Sequence, residues 1–404
     1  MQSFVPKAAV ATPAIANGKP LFEKLLPIVQ PELPLAIRQN GTAGVFEEIL
    51  HSGSLTNGKW VRAFERKASE TLGVAECVGV SSCTSGLMLV LRCLGLSGEV
   101  ILPSFTFFAS GHAVLWNGLE PVLVDCDPET FLIEPEEVRQ AITPRTAAIM
   151  AVHTFGNPAP VEELEAIARQ HGLALLVDAA HGFGARIAER GMGGAGSAEV
   201  FSLSPTKLLV AGEGGLVATN DAALAERLRA ARNYGDDGHY DCEVLGLNAR
   251  LTEIQAQLAL MGLEGLQERV ARRNHLAALY EQRLSGQSGL SFQRIRPDAT
   301  PSRKDFGIVI DEADFGISRD QLHEALLRQN VQTRKYFYPP LHRQKLYKDC
   351  RRGKMTHTDA VSSRILNFPI YSSLSDETVE SIVEGVLWIR ETLAQSRLAA
   401  ASST

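Results

Sequence analysis

The chain has 404 residues, of which 45% are hydrophobic and 21% charged, and its formal net charge is −6. These values are typical of a globular protein with a sizeable core, built as two domains or as one large α/β domain plus a smaller one. The weak negative charge gives no indication of a nucleic-acid or anionic-membrane partner, and no apolar stretch approaches the roughly 20 residues that span a bilayer.

From about residue 76 to residue 220, short apolar strands alternate with helices. The pattern predicts strands at 75–81, 99–103, 120–126, 146–152 and 173–177. These strands alternate with predicted helices at 85–96, 109–117, 135–141 and 161–171. Strands that are almost wholly apolar and separated by helices predict a parallel or mostly parallel sheet with helices on both faces.

The C-terminal part follows a different pattern. Residues 251–284 have helical periodicity and form either one long helix or two abutting helices. A strand at 305–310, a helix at 319–328 and a terminal helix from 376 to about 393 follow. We therefore predict an N-terminal segment and large domain over 1–260, and a smaller α+β domain over 261–404.

Six cysteines are scattered along the chain without paired CxxC spacing, at positions 77, 83, 93, 126, 242 and 350. This favours reduced thiols over disulfides or a zinc site, so no metal site is predicted. Residues 1–11 contain one basic residue and no long apolar region, so no signal peptide is expected and we predict a cytoplasmic location.

Lys207 lies in a loop rich in Ser, Thr and Gly, and upstream an apolar strand ends at Asp178. A single lysine is usually a solvated surface charge, but this combination is typical of an enzyme that uses pyridoxal phosphate (PLP). There the lysine forms a Schiff base, and the acid holds a proton on the pyridine nitrogen. His181, three residues after Asp178, could bind the cofactor hydroxyl or be a satisfied core histidine.

Other candidate residues have plainer alternatives. Thr84 and Ser85 lie where a strand meets a helix, so they could bind phosphate or simply cap the helix. Ser202 and Thr206 could also bind phosphate, and Phe107 could stack on a ring or belong to the core.

The position of these residues in the predicted sheet supports a common site. Ligands of such sheets bind beyond the carboxyl ends of the strands. Several candidate residues lie at strand ends and are therefore expected along one edge of the sheet. They are residues 81–85 and 103–108, Asp125, His153 and Asp178. The segment 336–342 is rich in aromatic residues and proline, and we expect it to line a cleft.

Together the motifs resemble the DegT/DnrJ/EryC1/StrS aminotransferases. These are PLP enzymes of fold type I (aspartate aminotransferase-like) that aminate keto sugars attached to nucleotides. The resemblance runs from about Ser54 to the C-terminal helix and rests on the ordered series SCTSG, PSFTF, VDCDPETF, HTFGNPAP, DAAHGFGA, FSLSPTK, GEGG, RNYGDDG, GLNARL and YPPLH.

The resemblance implies roles for the residues around the cofactor ring. Lys207 would form the Schiff base and shuttle a proton, and Asp178 would pair with the pyridine nitrogen. His181, where many members have Gln, would lie beside the ring hydroxyl, and Phe107 would stack on the ring.

It also implies residues for the phosphate and the substrate. Thr84, Ser85 and Ser202 would bind the phosphate. Asn248 would reach the phosphate of the neighbouring subunit, which implies a homodimer with shared active sites. The resemblance implies that His342 lies on the substrate side of the cleft, and we add Tyr338 from the same segment as a second substrate candidate.

The function implied is an aminotransferase (EC 2.6.1.-) that moves an amino group from an amino acid, with L-glutamate expected, to a 3- or 4-keto sugar nucleotide in amino-sugar, polysaccharide or natural-product biosynthesis. The alternatives are a cyclitol (inosose-type) aminotransferase, a PLP-dependent sugar dehydratase or a non-catalytic regulator. Members with His in place of the lysine catalyse deoxygenation, and Lys207 argues against that reaction. Cys83 and Leu208 stand where Gly and Asn are more usual, which puts local packing and substrate fit in doubt.

Overall fold

The computed structural model describes residues 18–33, 43–236 and 238–401. None of the helices within these ranges is long and apolar enough to cross a membrane. The strands are β1 Glu76–Val80, β2 Glu99–Pro103, β3 Glu120–Val124, β4 Thr146–Val152, β5 Ala174–Asp178, β6 Arg186–Ile187, β7 Arg190–Gly191, β8 Ala198–Ser202, β9 Gly215–Thr219, β10 Leu290–Phe292, β11 Ala299–Thr300, β12 Phe306–Ile310, β13 Arg351–Arg352 and β14 Ile365–Phe368. The α-helices are Ala43–Ser52, Lys59–Leu72, Cys83–Cys93, Phe108–Trp116, Pro135–Ala141, Val161–His171, Ala222–Ala231, Glu253–Gly262, Leu266–Leu284, Glu312–Phe315, Arg319–Arg328, Thr356–Arg364 and Asp376–Ala401.

An eight-stranded sheet organises the larger part of the chain, in the order β1-β9-β8-β5-β4-β2-β3-β13. Strand β9 is antiparallel to both of its neighbours, and every other pair is parallel. The predicted mostly parallel α/β sheet is therefore confirmed. Because β1, β2, β4, β5 and β8 run in one direction, their carboxyl ends lie along one edge of the sheet.

The apolar strands are buried because both faces of the sheet are covered. In β5, Leu175 and Val177 belong to the hydrophobic cluster on one face, and Leu176 belongs to the cluster on the other. This alternation explains why the strand reads as a continuous apolar run rather than as alternating polar and apolar residues.

The helix Cys83–Cys93 begins two residues earlier than predicted. Ser82 is its N-cap, and the side chains of Ser82 and Ser85 form a reciprocal capping box with the backbone. A Cβ at Gly86 would lie 2.7 Å from Val200 Cγ1, so glycine allows this helix to pack closely against β8.

The predicted helical stretch 251–284 is two abutting helices, Glu253–Gly262 and Leu266–Leu284. Gly265 precedes the second helix with φ of 66°, in the left-handed region that favours glycine. The chain therefore turns between the two helices instead of continuing as one.

A three-stranded antiparallel sheet, in the order β10-β12-β14, forms the base of a separate hydrophobic cluster. Phe22 and Leu26 from the N-terminal segment belong to this cluster, and β13 joins the edge of the large sheet. The division into domains 1–260 and 261–404 stays a prediction.

Candidate active site

The carboxyl-end edge of the large sheet brings three distant segments together. Asp178 ends β5, Ser202 ends β8, and Cys83 opens the helix that follows β1. The Cys83 Sγ atom lies 3.4 Å from the carbonyl oxygen of Val200 and 3.9 Å from Asp178 Oδ1. The loop after β1 therefore contacts the ends of β5 and β8.

Asp178 is buried and held in a defined orientation. The Ser110 hydroxyl donates to Asp178 Oδ2 at 2.6 Å, and the Ala180 N–H donates to Oδ1 at 3.1 Å. The Ser110 hydroxyl also lies 3.0 Å from that of Thr106. Sequence reasoning missed Ser110, because its hydroxyl on an otherwise apolar helix carries no signal that connects it to a strand 68 residues away.

Cys83, which stands where glycine is more usual, remains a thiol. Burial raises its pKa well above the ordinary value, and the negative charge of Asp178 raises that pKa further. A protonated thiol is a weak hydrogen-bond donor and not a nucleophile. Cys83 therefore fills space beside Asp178 without adding a charge.

Lys207 is half-buried in the loop after β8, where its N–H donates to the carbonyl oxygen of Ser204 at 3.0 Å. Burial lowers the pKa of Lys207 to about 8, and the positive charge of Lys304 acts in the same direction. Asp305, Cys83 and Asp178 oppose that shift. A pKa near 8 leaves a useful fraction of uncharged amine at neutral pH, as imine formation requires.

His181 lies within the electrostatic reach of Lys207. Burial lowers the pKa of His181 well below its usual value, and the charges of Lys207 and Lys304 lower it further, so the imidazole is neutral. The Phe155 N–H donates to His181 Nδ1 at 3.2 Å. Nε2 therefore carries the proton and can donate to an oxygen in the site.

The predicted phosphate-binding hydroxyls surround the first turn of the helix Cys83–Cys93. The Ser85 hydroxyl accepts from the Ser82 N–H at 3.0 Å, and Thr84 is partly exposed beside it. Ser202 is buried, and its hydroxyl accepts from the Ser204 N–H at 3.4 Å. The first N–H groups of a helix have no partner within that helix, so this turn can bind a phosphate anion.

An open cavity of about 600 Å³ extends from this edge towards the smaller sheet. The Phe107 side chain is 44% exposed in this cavity, and its ring centroid lies 3.8 Å from that of Phe108. The exposed Tyr338 lines the same cavity, and the Arg319 guanidinium lies 4.8 Å from the centroid of its ring. The cavity is lined by Thr106, Phe107, Phe108, His323, Thr333, Arg334, Lys335, Tyr336, Phe337, Tyr338, Pro339 and Gln344.

His342 does not line this cavity, although it was predicted on the substrate side. It is buried: its Nδ1 lies 2.7 Å from the Ser104 hydroxyl, and its Nε2 lies 3.0 Å from Asp359 Oδ1. Both ring nitrogens are therefore used: Nδ1 holds the segment after Tyr338 against the end of β2, and Nε2 holds it against the helix Thr356–Arg364.

Two other strand-end residues also have structural partners. Asp125 accepts hydrogen bonds from the N–H groups of His357 and Thr358, at the start of the helix Thr356–Arg364. His153 Nδ1 accepts from the Ala159 N–H at 2.9 Å, and its Nε2 lies 3.1 Å from the buried Glu199. A position at a strand end thus does not by itself make a side chain available to a ligand.

Asn248 is exposed and forms an isolated bridge with Asn233 through the backbone. The neighbouring Ala249 carbonyl accepts from the Ser81 N–H at 2.8 Å, which places this segment beside the loop after β1. No hydrogen bond from the Asn248 side chain to Lys207 or Asp178 is present among the described residues.

Sequence reasoning also missed Lys304 and Asp305. Each is only 6% exposed, and Lys304 Nζ lies 2.7 Å from Asp305 Oδ1. Two adjacent charged residues at the start of an apolar strand were the one available signal. Their position near Lys207 depends on how the smaller sheet packs against the large one.

The residues on this edge fit PLP. Asp178 offers a buried carboxylate for a pyridinium nitrogen, Lys207 a readily deprotonated amine for an aldehyde, and His181 a donor for the ring hydroxyl. The helix start at Thr84 can hold the phosphate, and Phe107 presents an exposed aromatic face.

A model of the DegT/DnrJ/EryC1/StrS aminotransferase family matches residues 38–387. The chain is 32% identical over 377 residues to the dTDP-4-amino-4,6-dideoxy-D-glucose transaminase of Escherichia coli, which covers 90% of this chain and 99% of that protein. It is 35% identical to the dTDP-3-amino-3,6-dideoxy-alpha-D-galactopyranose transaminase of Aneurinibacillus thermoaerophilus, over 84% of this chain and 92% of that protein. The crystal structure of DesI in the presence of its TDP-sugar product is similar with a TM-score of 0.89 at 34% identity, covering 98% of this chain and 100% of that chain.

Proposed function

Because the chain belongs to the DegT/DnrJ/EryC1/StrS aminotransferase family, we propose that it is a PLP-dependent enzyme that transfers an amino group from an amino acid to a keto sugar nucleotide. L-Glutamate is the proposed donor, and a 3- or 4-keto-deoxysugar is the proposed acceptor. The fold agrees with this function, because the large sheet and the smaller three-stranded sheet together have the fold type I architecture. The observation that carries the proposal is the amine of Lys207, with its pKa lowered to about 8, near the buried carboxylate of Asp178.

Each residue of the site would have a separate task. When bound, PLP supplies a conjugated ring that takes up the electron pair left by removal of the donor's α-proton. Lys207 would hold the cofactor, and its released Nζ would then move a proton between the donor α-carbon and the cofactor. Asp178 would stabilise a proton on the ring nitrogen, and the His181 Nε2–H would donate to the ring oxygen. Thr84 and the helix start around it would bind the phosphate, with Ser85 and Ser202 close by.

We place the keto sugar nucleotide in the cavity that Phe107 lines. Phe108 and Tyr338 offer aromatic faces, and aromatic rings can pack against the apolar face of a sugar or against a nucleobase. Arg334 and Lys335 are the basic side chains that can face a diphosphate. His342, bonded to Ser104 and Asp359, would hold the segment that carries Tyr338 rather than contact the substrate.

The spectrum of the purified enzyme tests this proposal. PLP held on Lys207 absorbs visible light, and we expect L-glutamate to bleach this absorbance as the cofactor takes the amino group. A keto sugar nucleotide should then restore the absorbance and yield an aminated product by mass spectrometry. Inosose serves as the competing acceptor. Restoration by inosose alone would favour the cyclitol alternative, and an unchanged spectrum with every amino acid tried would contradict the proposal.

We also propose that the active form is a cytoplasmic homodimer in which Asn248 reaches the phosphate site of the partner subunit. The exposure of Asn248, whose side chain a second subunit could contact, supports this role. The six cysteines are unpaired in the structure, which fits the reducing cytoplasm.

Mixed dimers test the role of Asn248. We expect Asn248→Ala and Lys207→Ala to be nearly inactive alone. Unfolding and refolding them together should restore roughly a quarter of wild-type activity, since half of the dimers are mixed and each has one intact site of two. Wild type taken through the same refolding is the control. An Asn248 that acts within its own chain would give no restoration.

A further inference from the structure

The segment Ser302–Lys304 is attached to the active site from the side of the smaller domain. The Lys304 N–H donates to the Phe155 carbonyl oxygen at 3.0 Å, and the Phe155 N–H donates to His181 Nδ1 at 3.2 Å. The Ser302 hydroxyl donates to the His181 carbonyl oxygen at 2.5 Å. These bonds fix the backbone of Lys304 on the His181 side of the site.

The side chain of Lys304 is near both the cavity lining and the charged groups of the site. Its Nζ is 5.7 Å from the ring centroid of Tyr336, which lines the cavity, and its charge acts on both Lys207 and His181. Asp305 is the one acceptor within hydrogen-bond distance of Nζ among the described residues. An ammonium group has three protons, so Lys304 keeps hydrogen-bonding capacity for a ligand.

The two substrates carry their negative charges at different distances from the reacting carbon. The α-carboxylate of an amino acid is bonded directly to that carbon. The diphosphate of a keto sugar nucleotide is separated from it by part of the sugar ring. A cation beside Lys207 therefore matches the carboxylate, whereas Arg334 and Lys335, which line the cavity, match the diphosphate.

We infer that Lys304 binds the α-carboxylate of the amino donor, with Asp305 holding its ammonium group in place. The inference rests on the proposed function and adds to it a residue that distinguishes the two substrates. One site can then accept two unlike molecules in turn, because each has its own cationic partner. Asp305 is a positioning residue, since it acts through Lys304.

Separate measurement of the two half-reactions tests the inference. In Lys304→Gln, we expect the dissociation constant for L-glutamate, from the concentration dependence of bleaching, to rise roughly 10- to 100-fold, as the loss of a charged hydrogen bond predicts. The dissociation constant of the keto sugar nucleotide on the aminated enzyme should change less than about threefold, because that substrate has no carboxylate at its reacting carbon. Affinities are compared rather than rates, because the charge of Lys304 also lowers the pKa of Lys207 and its removal changes proton transfer in both half-reactions. Arg334→Gln is the opposite case and should impair the second half-reaction alone.

Two further variants distinguish a Lys304 that binds the substrate from a Lys304 that only forms a structural ion pair with Asp305. Lys304→Arg keeps the charge and should restore most of the affinity for glutamate. Lys304→Gln combined with Asp305→Asn removes the pair without leaving a buried lone carboxylate, and it should bind glutamate as weakly as the single variant. An equal loss of affinity for L-glutamate and for the keto sugar nucleotide would overturn the inference. Unchanged glutamate affinity in Lys304→Gln and in its combination with Asp305→Asn would overturn it as well.

Calorimetric titration with glutarate keeps this result independent of turnover. Glutarate has the carboxylates of the donor but no amino group, so it binds without reacting. We expect it to bind the PLP-loaded wild type more tightly than Lys304→Gln by a similar factor. A wild type that glutamate fails to bleach would refute the proposed function, and the glutarate comparison would still decide whether Lys304 binds a carboxylate.

Discussion

Lys207→Ala is expected to abolish turnover and to remove the visible absorbance of the purified enzyme. The variant lacks both the amine that holds the cofactor and the group that moves the proton. General acid–base catalysis alone contributes roughly 10²–10⁴-fold, so the fall in kcat should be on the order of 10⁴-fold or more. The measurements are steady-state kinetics with L-glutamate and the visible spectrum of the PLP-loaded protein.

Lys348→Ala is the matched control, because the Lys348 side chain is 72% exposed and belongs to no part of the site. It should retain wild-type kinetics and absorbance. Circular dichroism of Lys207→Ala should match that of the wild type, since the loop is held by backbone bonds such as that from the Lys207 N–H to Ser204. A Lys207→Ala enzyme with normal absorbance and turnover would place the chemistry elsewhere.

Asp178→Asn is expected to lower kcat by roughly 10²–10³-fold while the visible absorbance is retained. Asparagine has nearly the same shape and can still accept the hydrogen bond from the Ala180 N–H, but it lacks the negative charge that stabilises a protonated ring nitrogen. Lys207 remains able to hold the cofactor. The KM values should change little, because Asp178 does not line the cavity.

Ser110→Ala provides a graded comparison for Asp178→Asn. It removes the hydroxyl that donates to Asp178 Oδ2 at 2.6 Å and leaves the charge intact. We expect a smaller loss in kcat, roughly 10-fold, as for one hydrogen bond to a charged group. If Ser110→Ala were more harmful than Asp178→Asn, the role assigned to the charge of Asp178 would be wrong.

The pattern of the sequence was sufficient for the mostly parallel sheet and for the order of its predicted elements. A buried parallel strand must be apolar on both faces, so β5 with its terminal Asp178 can be recognised from local sequence. Element boundaries were less accurate. The helix predicted at 85–96 runs from Cys83 to Cys93, because Ser85 is part of the capping box and not the first residue of the helix.

Whether a side chain is free to bind a ligand was harder to predict from the sequence than its position in the fold. Asp125 and His342 are polar residues near strand ends or the cleft, as expected, but Thr358 donates to Asp125 and Ser104 is hydrogen-bonded to His342. Hydrogen bonds between residues more than 200 positions apart leave no local pattern.

The sequence alone was enough to select Lys207, Asp178 and the hydroxyl-rich turn at Thr84 as candidate site residues, because strand periodicity and loop chemistry are local properties. The tertiary structure alone decided what surrounds Lys207. Packing of the smaller sheet brings Lys304 near Lys207, and burial and that charge together lower the pKa of Lys207 to about 8. Desolvation and charge proximity depend on three-dimensional packing, so no pattern around Lys207 could show them.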